Sequence, residues 1–190
     1  KLNKAIKNFN IDSFDIIWRP FQLNPEMPYA GMERELYLTS KFGSKENVNS
    51  VYKQIEDEGK LNKIYFQFNK IKKTPNSFLS HKLLAFAHTK KKQTKVLELL
   101  FYKYFIEGAD IGNLEKLINI SKDANIYDKN IEDYILSTQD NASLLNEEKQ
   151  AKKIGINSVP SFIFNKKFVV SGAQPIENFI HIINSLNSDV

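Results

Sequence analysis

Between Gly31 and Gly155 the sequence has a helical pattern, while the segments on both sides of it read as strands. This bracketing constrains the fold more than any other feature. A sheet needs at least three strands or a covering layer to be stable, so the flanking segments must meet across the helical block. The expected class is α/β with a large all-helical insertion. Residues 1–30 and 155–190 would form a discontinuous sheet domain and residues 31–154 the insertion.

The N-terminal flank opens in Lys1 to Phe9, where Leu2, Ala5, Ile6 and Phe9 recur at helical spacing. Asn10 to Ser13 read as a polar turn, and Phe14-Asp15-Ile16-Ile17-Trp18 as a short buried strand. Pro20, Pro25 and Pro28 then fix φ and remove donors, which makes this strand exit a rigid irregular loop. If Lys1 to Phe9 is the tail of a crossover helix, the strand before it lies upstream of residue 1. An absent first strand is therefore expected.

Inside the block, Ser44 is placed to cap a helix that carries Val48, Val51, Tyr52 and Ile55 and stops at Gly59. Ile64 to Phe68 reads as an extended run. Thr74-Pro75-Asn76-Ser77 opens a helix through Phe86, and further helices are expected over 93–107, 113–124, 128–137 and 142–154. In the C-terminal flank, Ser161–Phe164 and Phe168–Val170 are two strands joined at hairpin length by Asn165-Lys166-Lys167. A last helix runs from Pro175 to Leu186.

Composition removes several classes of function. An apolar share of 42%, a charged share of 26% and 14 Phe, 8 Tyr and 1 Trp describe a chain that can bury a large core, not a disordered one. The net charge of +5 comes from scattered Lys, with only Arg19 and Arg34 as arginines, so no nucleic-acid partner is expected. The longest apolar stretch, Val96 to Ile106, is broken by Glu98 and Lys103 and falls short of the roughly 20 residues that span a bilayer. The chain has no cysteine, which rules out a disulfide framework, a thiolate metal site and thiol chemistry by these 190 residues. His81 and His88 lie on one helix without HExxH spacing, and no metal site is expected.

The most informative stretch is Ile154-Gly155-Ile156-Asn157-Ser158-Val159-Pro160-Ser161-Phe162, where a helix stop is followed by a proline directly before a strand. With Ser171-Gly172-Ala173-Gln174-Pro175 it resembles the cis-proline loop, terminal hairpin and last helix of DsbA-family thioredoxin-fold oxidoreductases, in particular their FrnE-like branch. Pro20-Phe21-Gln22-Leu23-Asn24-Pro25 resembles that branch's strand exit. Thr74-Pro75-Asn76 with His81-Lys82-Leu83-Leu84 is similar to its helix start, and Glu107 to Gly112 to a further turn of it. The four motifs stand in the family's order along nearly the whole chain.

The resemblance implies a thioredoxin-like sheet with a helical insertion and a Cys-x-x-Cys at the start of the first helix. There the first thiol attacks substrate disulfides and the second resolves the intermediate. Since that motif is absent, the expectation is that it lies upstream of Lys1 and that the activity is thiol-disulfide exchange on protein or small-molecule disulfides. The alternative is a cysteine-free N-terminal segment, as in the related glutathione-dependent 2-hydroxychromene-2-carboxylate isomerases and kappa-class transferases. Glutathione would then be the cofactor. A redox-inactive module binding peptides along the same groove is a third reading.

The resemblance also assigns substrate-binding positions. Val159 and Pro160 would face the redox sulfurs and offer backbone to an extended substrate. Gly172, Ala173 and Gln174 would hold a carboxylate at the last helix's N-terminus, although helix capping explains that turn more simply. Asn24 and His81 would line the groove, where turn and core roles are the plainer readings. A cytoplasmic location is likewise an expectation from the branch alone.

Overall fold

A computed structural model describes residues 1–9 and 14–188, with side chains through residue 186. The turn expected at Asn10 to Ser13 lies outside the described residues. Contacts divide the chain into two compact units, residues 1–23 with 146–190 and residues 24–145. These boundaries differ from the 30/31 and 154/155 divisions read from the sequence pattern. The second half of the helix over 141–153 belongs with the sheet unit because its Glu147 and Glu148 hold Arg19 and Gln22.

The sheet unit contains α1 (Leu2–Ile6), the end of α8 (Asn141–Lys153), β3 (Ser161–Phe164), β4 (Phe168–Ser171) and α9 (Ile176–Ser188). β3 and β4 pair antiparallel with Phe162 opposite Val170 and Phe164 opposite Phe168. Alternation sends Phe162 and Phe164 to the face covered by α9, where their rings lie 4.9 and 6.4 Å from Phe179. Ile163 and Val169 point the other way and are 46% and 48% exposed. Asn165 and Lys166 both have positive φ, the primed turn geometry that follows the right-handed twist of paired strands. α1 packs on α9 through Ala5 and Ile6, both buried.

The expected strand Phe14 to Trp18 is not one. It has β propensity, but a strand is defined by its ladder, and among the described residues this segment has no ladder partner. Ile16 and Ile17 are accordingly about one-third exposed.

The helical unit contains two short strands the sequence pattern did not announce, β1 (Met32–Glu33) ahead of its first α-helix and β2 (Lys73–Thr74) after its second, paired antiparallel. Its helices are α2 (Arg34–Phe42) and α3 (Lys45–Leu61), between the two strands, and α4 (Phe78–Thr89), α5 (Gln93–Phe105), α6 (Leu114–Asp123) and α7 (Ile131–Leu136) after them. Glu33 caps α2 by accepting from the amides of Glu35 and Leu36, and Ser44 caps α3 by accepting from that of Asn47. α3 runs through Gly59 instead of stopping there. Gly59 serves close approach, since a Cβ on it would lie 2.7 Å from the Phe66 ring and 2.8 Å from the Ile64 carbonyl. The run expected to extend over Ile64 to Phe68 is irregular and ends in a 3-10 turn, Phe68–Lys70, whose Phe68 stacks between Tyr52 and Phe66.

Leu83, Val96, Leu117, Ile131 and Ile135 are fully buried at the meeting of α4, α5, α6 and α7. Lys82 is in the same layer with no exposed surface. Its ammonium donates to the carbonyl of Ser137, the C-cap of α7, and lies 5.1 Å from the centroid of the Tyr134 ring. The Tyr134 hydroxyl in turn donates to Asp140 at 2.8 Å. Burial pushes the Lys82 ammonium below its usual range, partly opposed by Asp140. Lys82→Met should cost about 1.5–3 kcal/mol, the value of one charge-assisted bond to a carbonyl. Lys82→Ala should cost about 3–4 kcal/mol because it also leaves a cavity. Urea unfolding of both variants measures the difference, and equal losses would mean the stem contributes nothing.

Candidate functional site

The proline-rich exit after Trp18 is fastened by α8. Glu148 is 5% exposed and Gln22 7% exposed, and the Gln22 amide donates to Glu148 Oε2 at 3.2 Å. Lys152, one turn further along α8, donates to the other carboxylate oxygen at 2.7 Å and lies over the Phe21 ring. Arg19 reaches Glu147 at 3.1 Å. A buried carboxylate holding a backbone amide and an ammonium is stable only because both oxygens are used. The sequence signal for this clamp was the Glu148/Lys152 pair at helical spacing, which reads equally well as a solvated pair.

In the same unit, α8 ends at Gly155, whose φ is +85°, and the chain turns through Ser158 to β3. The Val159–Pro160 bond is cis. The carbonyl of Pro160 accepts from the amide of Gly172 at 2.8 Å, one step beyond the ladder pair Ser161 and Ser171. Val159 lies outside the ladder, is 44% exposed and makes no backbone hydrogen bond among the described residues. It presents an unused N–H and C=O at the start of β3.

Gly172, with φ +82°, and the exposed Ala173 lead into α9. The Gln174 side chain donates to the Ser171 carbonyl at 2.7 Å and accepts from Asn178 at 3.0 Å, linking the end of β4 to the first turns of α9. Val159, Pro160 and Gly172 are thus brought together by the hairpin. Gln174 is committed to its neighbours.

Asn24 and His81 belong to the helical unit. The Asn24 amide exchanges hydrogen bonds with the Tyr37 hydroxyl at 2.9 and 3.2 Å. His81 Nε2 lies 3.4 Å from the Ser77 hydroxyl at the start of α4. Asn76 accepts from the Phe78 amide and donates to the Met27 carbonyl, so it caps α4 and pins the proline loop of its own unit. Asp110 accepts from the Gly112 amide and pairs with Lys73 at 2.9 Å. Among the described residues no three His, Asp or Glu side chains are placed to hold a metal ion, and no helix is long and apolar enough to cross a membrane.

The sequence matches the DSBA-like thioredoxin domain over residues 1–184. The chain belongs to that family. Among solved structures it is similar to a probable DsbA oxidoreductase from Streptomyces coelicolor, at 19% identity and a TM-score of 0.88, over 100% of this chain and 82% of that one. At that identity the likeness shows the fold alone: a DsbA-like thioredoxin fold, mostly helical, with small sheets. No curated protein matches the chain.

For this DsbA-like domain, the Glu148 side chain fixes the proline-rich segment at Gln22. Glu148→Ala should cost about 1–3 kcal/mol, since it leaves the Gln22 amide buried without an acceptor. It should also speed hydrogen exchange at that amide while leaving the amides of α4 and α5 protected. Uniform loss of protection across both units would show that the clamp is not local.

Proposed function

We propose that the chain is the substrate-binding part of a thiol-disulfide oxidoreductase whose Cys-x-x-Cys is supplied by residues preceding Lys1. Two facts support this reading: membership of the DSBA-like family and the exposed, unladdered Val159 at the start of β3. An extended substrate would add itself to the backbone there, pairing with the N–H and C=O of Val159. The first cysteine's thiolate would attack one sulfur of the substrate disulfide, breaking its S–S bond and forming a mixed disulfide. The second thiolate would then break that bond, releasing the reduced substrate and leaving an enzyme disulfide. In the reverse direction a substrate dithiol is oxidised. The helical unit would set substrate choice.

The residues encoded immediately before Lys1 test this directly. A Cys-x-x-Cys there, with insulin reduction or dithiol-peptide oxidation that disappears when either cysteine becomes serine, is the expected result. A cysteine-free segment would sink it and leave a peptide-binding module without redox chemistry, or the glutathione reading below.

A second reading, a glutathione-dependent isomerase or transferase, would place a glutathione carboxylate at the Gly172–Gln174 turn, where the Ala173 amide has no backbone partner among the described residues. Glutathione at about 100 times its Kd should then stabilise the protein by about 2.7 kcal/mol, read as a rise in Tm. An unchanged Tm at millimolar glutathione would exclude that role.

A further inference from the structure

Arg34 opens α2 and is one of two arginines in the chain. Its Nε and Nη2 both donate to the Tyr52 hydroxyl, at 3.1 and 2.7 Å, and its Nη1 donates to the Thr74 hydroxyl at 3.0 Å and the Tyr104 hydroxyl at 3.2 Å. The guanidinium carbon lies 5.9 Å from the ring centroids of both Tyr37 and Tyr52. Lys41 adds a second cation, its ammonium 3.1 Å from the Tyr37 hydroxyl. A single side chain of α2 thereby joins α3, β2 and α5.

Among the described residues no carboxylate pairs with the positive charge of this cluster, and none is within ion-pair distance of Arg34 or Lys41. The nearby acids are already engaged: Glu33 with the amides of Glu35 and Leu36, and Asp110 with Lys73 and the Gly112 amide. The Arg34 guanidinium is only half-buried, and phenol oxygens supply part of the compensation that an anion would complete.

The protons point to the same conclusion. Tyr52 and Tyr104 accept from Arg34, which leaves each with its own O–H still to donate, and no acceptor for either exists among the described residues. One of the five guanidinium N–H groups is also unspent after the four bonds above. Tyr37 differs, because its proton goes to Asn24. Tyr104 is only 9% exposed, and burial pushes its phenol above the usual range, so it is a donor throughout the neutral range. Thr74 and Tyr104 form the buried floor of the cluster, while Arg34, Tyr37 and Tyr52 are half-buried and carry it to solvent.

We infer that Arg34, Tyr52 and Tyr104 form a binding site for the carboxylate of a small molecule, with Lys41 at its margin. One uncompensated guanidinium and four spare protons, from Tyr52, Tyr104, Thr74 and the guanidinium itself, match the charge and acceptor capacity of one carboxylate. The inference is independent of the redox reading, since it concerns the helical unit alone.

The test uses the full chain carrying tyrosine labelled with carbon-13 at Cζ, titrated with N-acetylglycine, its neutral amide N-acetylglycinamide, and inorganic phosphate. N-Acetylglycine should shift the Tyr52 and Tyr104 signals saturably with a millimolar Kd, and the amide should shift neither. Tyr52→Phe keeps the ring stacked on Phe68 and should weaken binding about tenfold, the equivalent of one hydrogen bond. Arg34→Gln should abolish binding, and circular dichroism checks that each variant is folded. If Arg34→Gln does not fold, Tyr52→Phe alone decides. Equal shifts from acid and amide, no saturation, or an unchanged Kd in Tyr52→Phe would overturn the site and leave the cluster a brace. Tighter binding of phosphate than of N-acetylglycine would overturn the choice of carboxylate.

Discussion

A single ammonium at the centre of the helical unit sets the terms for the elements around it. Lys82 sits on α4 with no exposed surface and closes the last turn of α7 by bonding to the Ser137 carbonyl. α7 is six residues long, too short to be stable in isolation, so its position depends on packing and on this bond. The aromatic ring over the ammonium, and the acid that accepts the ring's hydroxyl, extend the arrangement to Asp140. A buried charge is usually a liability. Here it occupies a place where a helix-end carbonyl would otherwise lack a donor, so the bond offsets part of the cost of burying the charge.

The sheet unit uses the opposite sign for the same purpose. Glu148 is a buried anion that takes up a backbone amide of the proline-rich segment after Trp18, with Lys152 as its counterion. Each unit thus fixes an irregular segment through one long charged side chain projected from a helix. For the proposed oxidoreductase this separates two tasks. Glu148 fixes the backbone of the proline-rich segment, and the hairpin around Pro160 and Gly172 leaves the Val159 backbone outside the ladder.

Much of this was legible in the sequence, and the limits have physical causes. The helices with an apolar stripe and a marked stop were readable, as α5 before Gly108 and α8 before Gly155 show. The hairpin was readable because Ser161–Phe164 and Phe168–Val170 are β-branched and aromatic with a short polar link. Phe14 to Trp18 carried the same composition and is not a strand, because propensity is local and a ladder requires a partner. Gly59 was misread for a related reason. A glycine near a helix end signals either a stop or a close neighbour, and Phe66, seven residues on, decided for the neighbour. At the candidate site, Val159 and Pro160 were visible through their motif, whereas the Glu148 clamp and the Arg34 cluster were not. Their members come from segments far apart in the chain, so no spacing rule could link them.

The sheet unit is assembled from residues 1–23 and 146–190, with the helical unit lying between them in the chain. Closing a flexible loop of roughly 120 residues costs about 4 kcal/mol of chain entropy. A helical unit built from neighbouring helices such as α4, α5, α6 and α7 makes contacts local enough to form early. Once it is folded, its two ends are held at a fixed separation, and the loop the sheet unit must close is no longer flexible. A helical unit that folds first would therefore spare the sheet unit most of that closure cost.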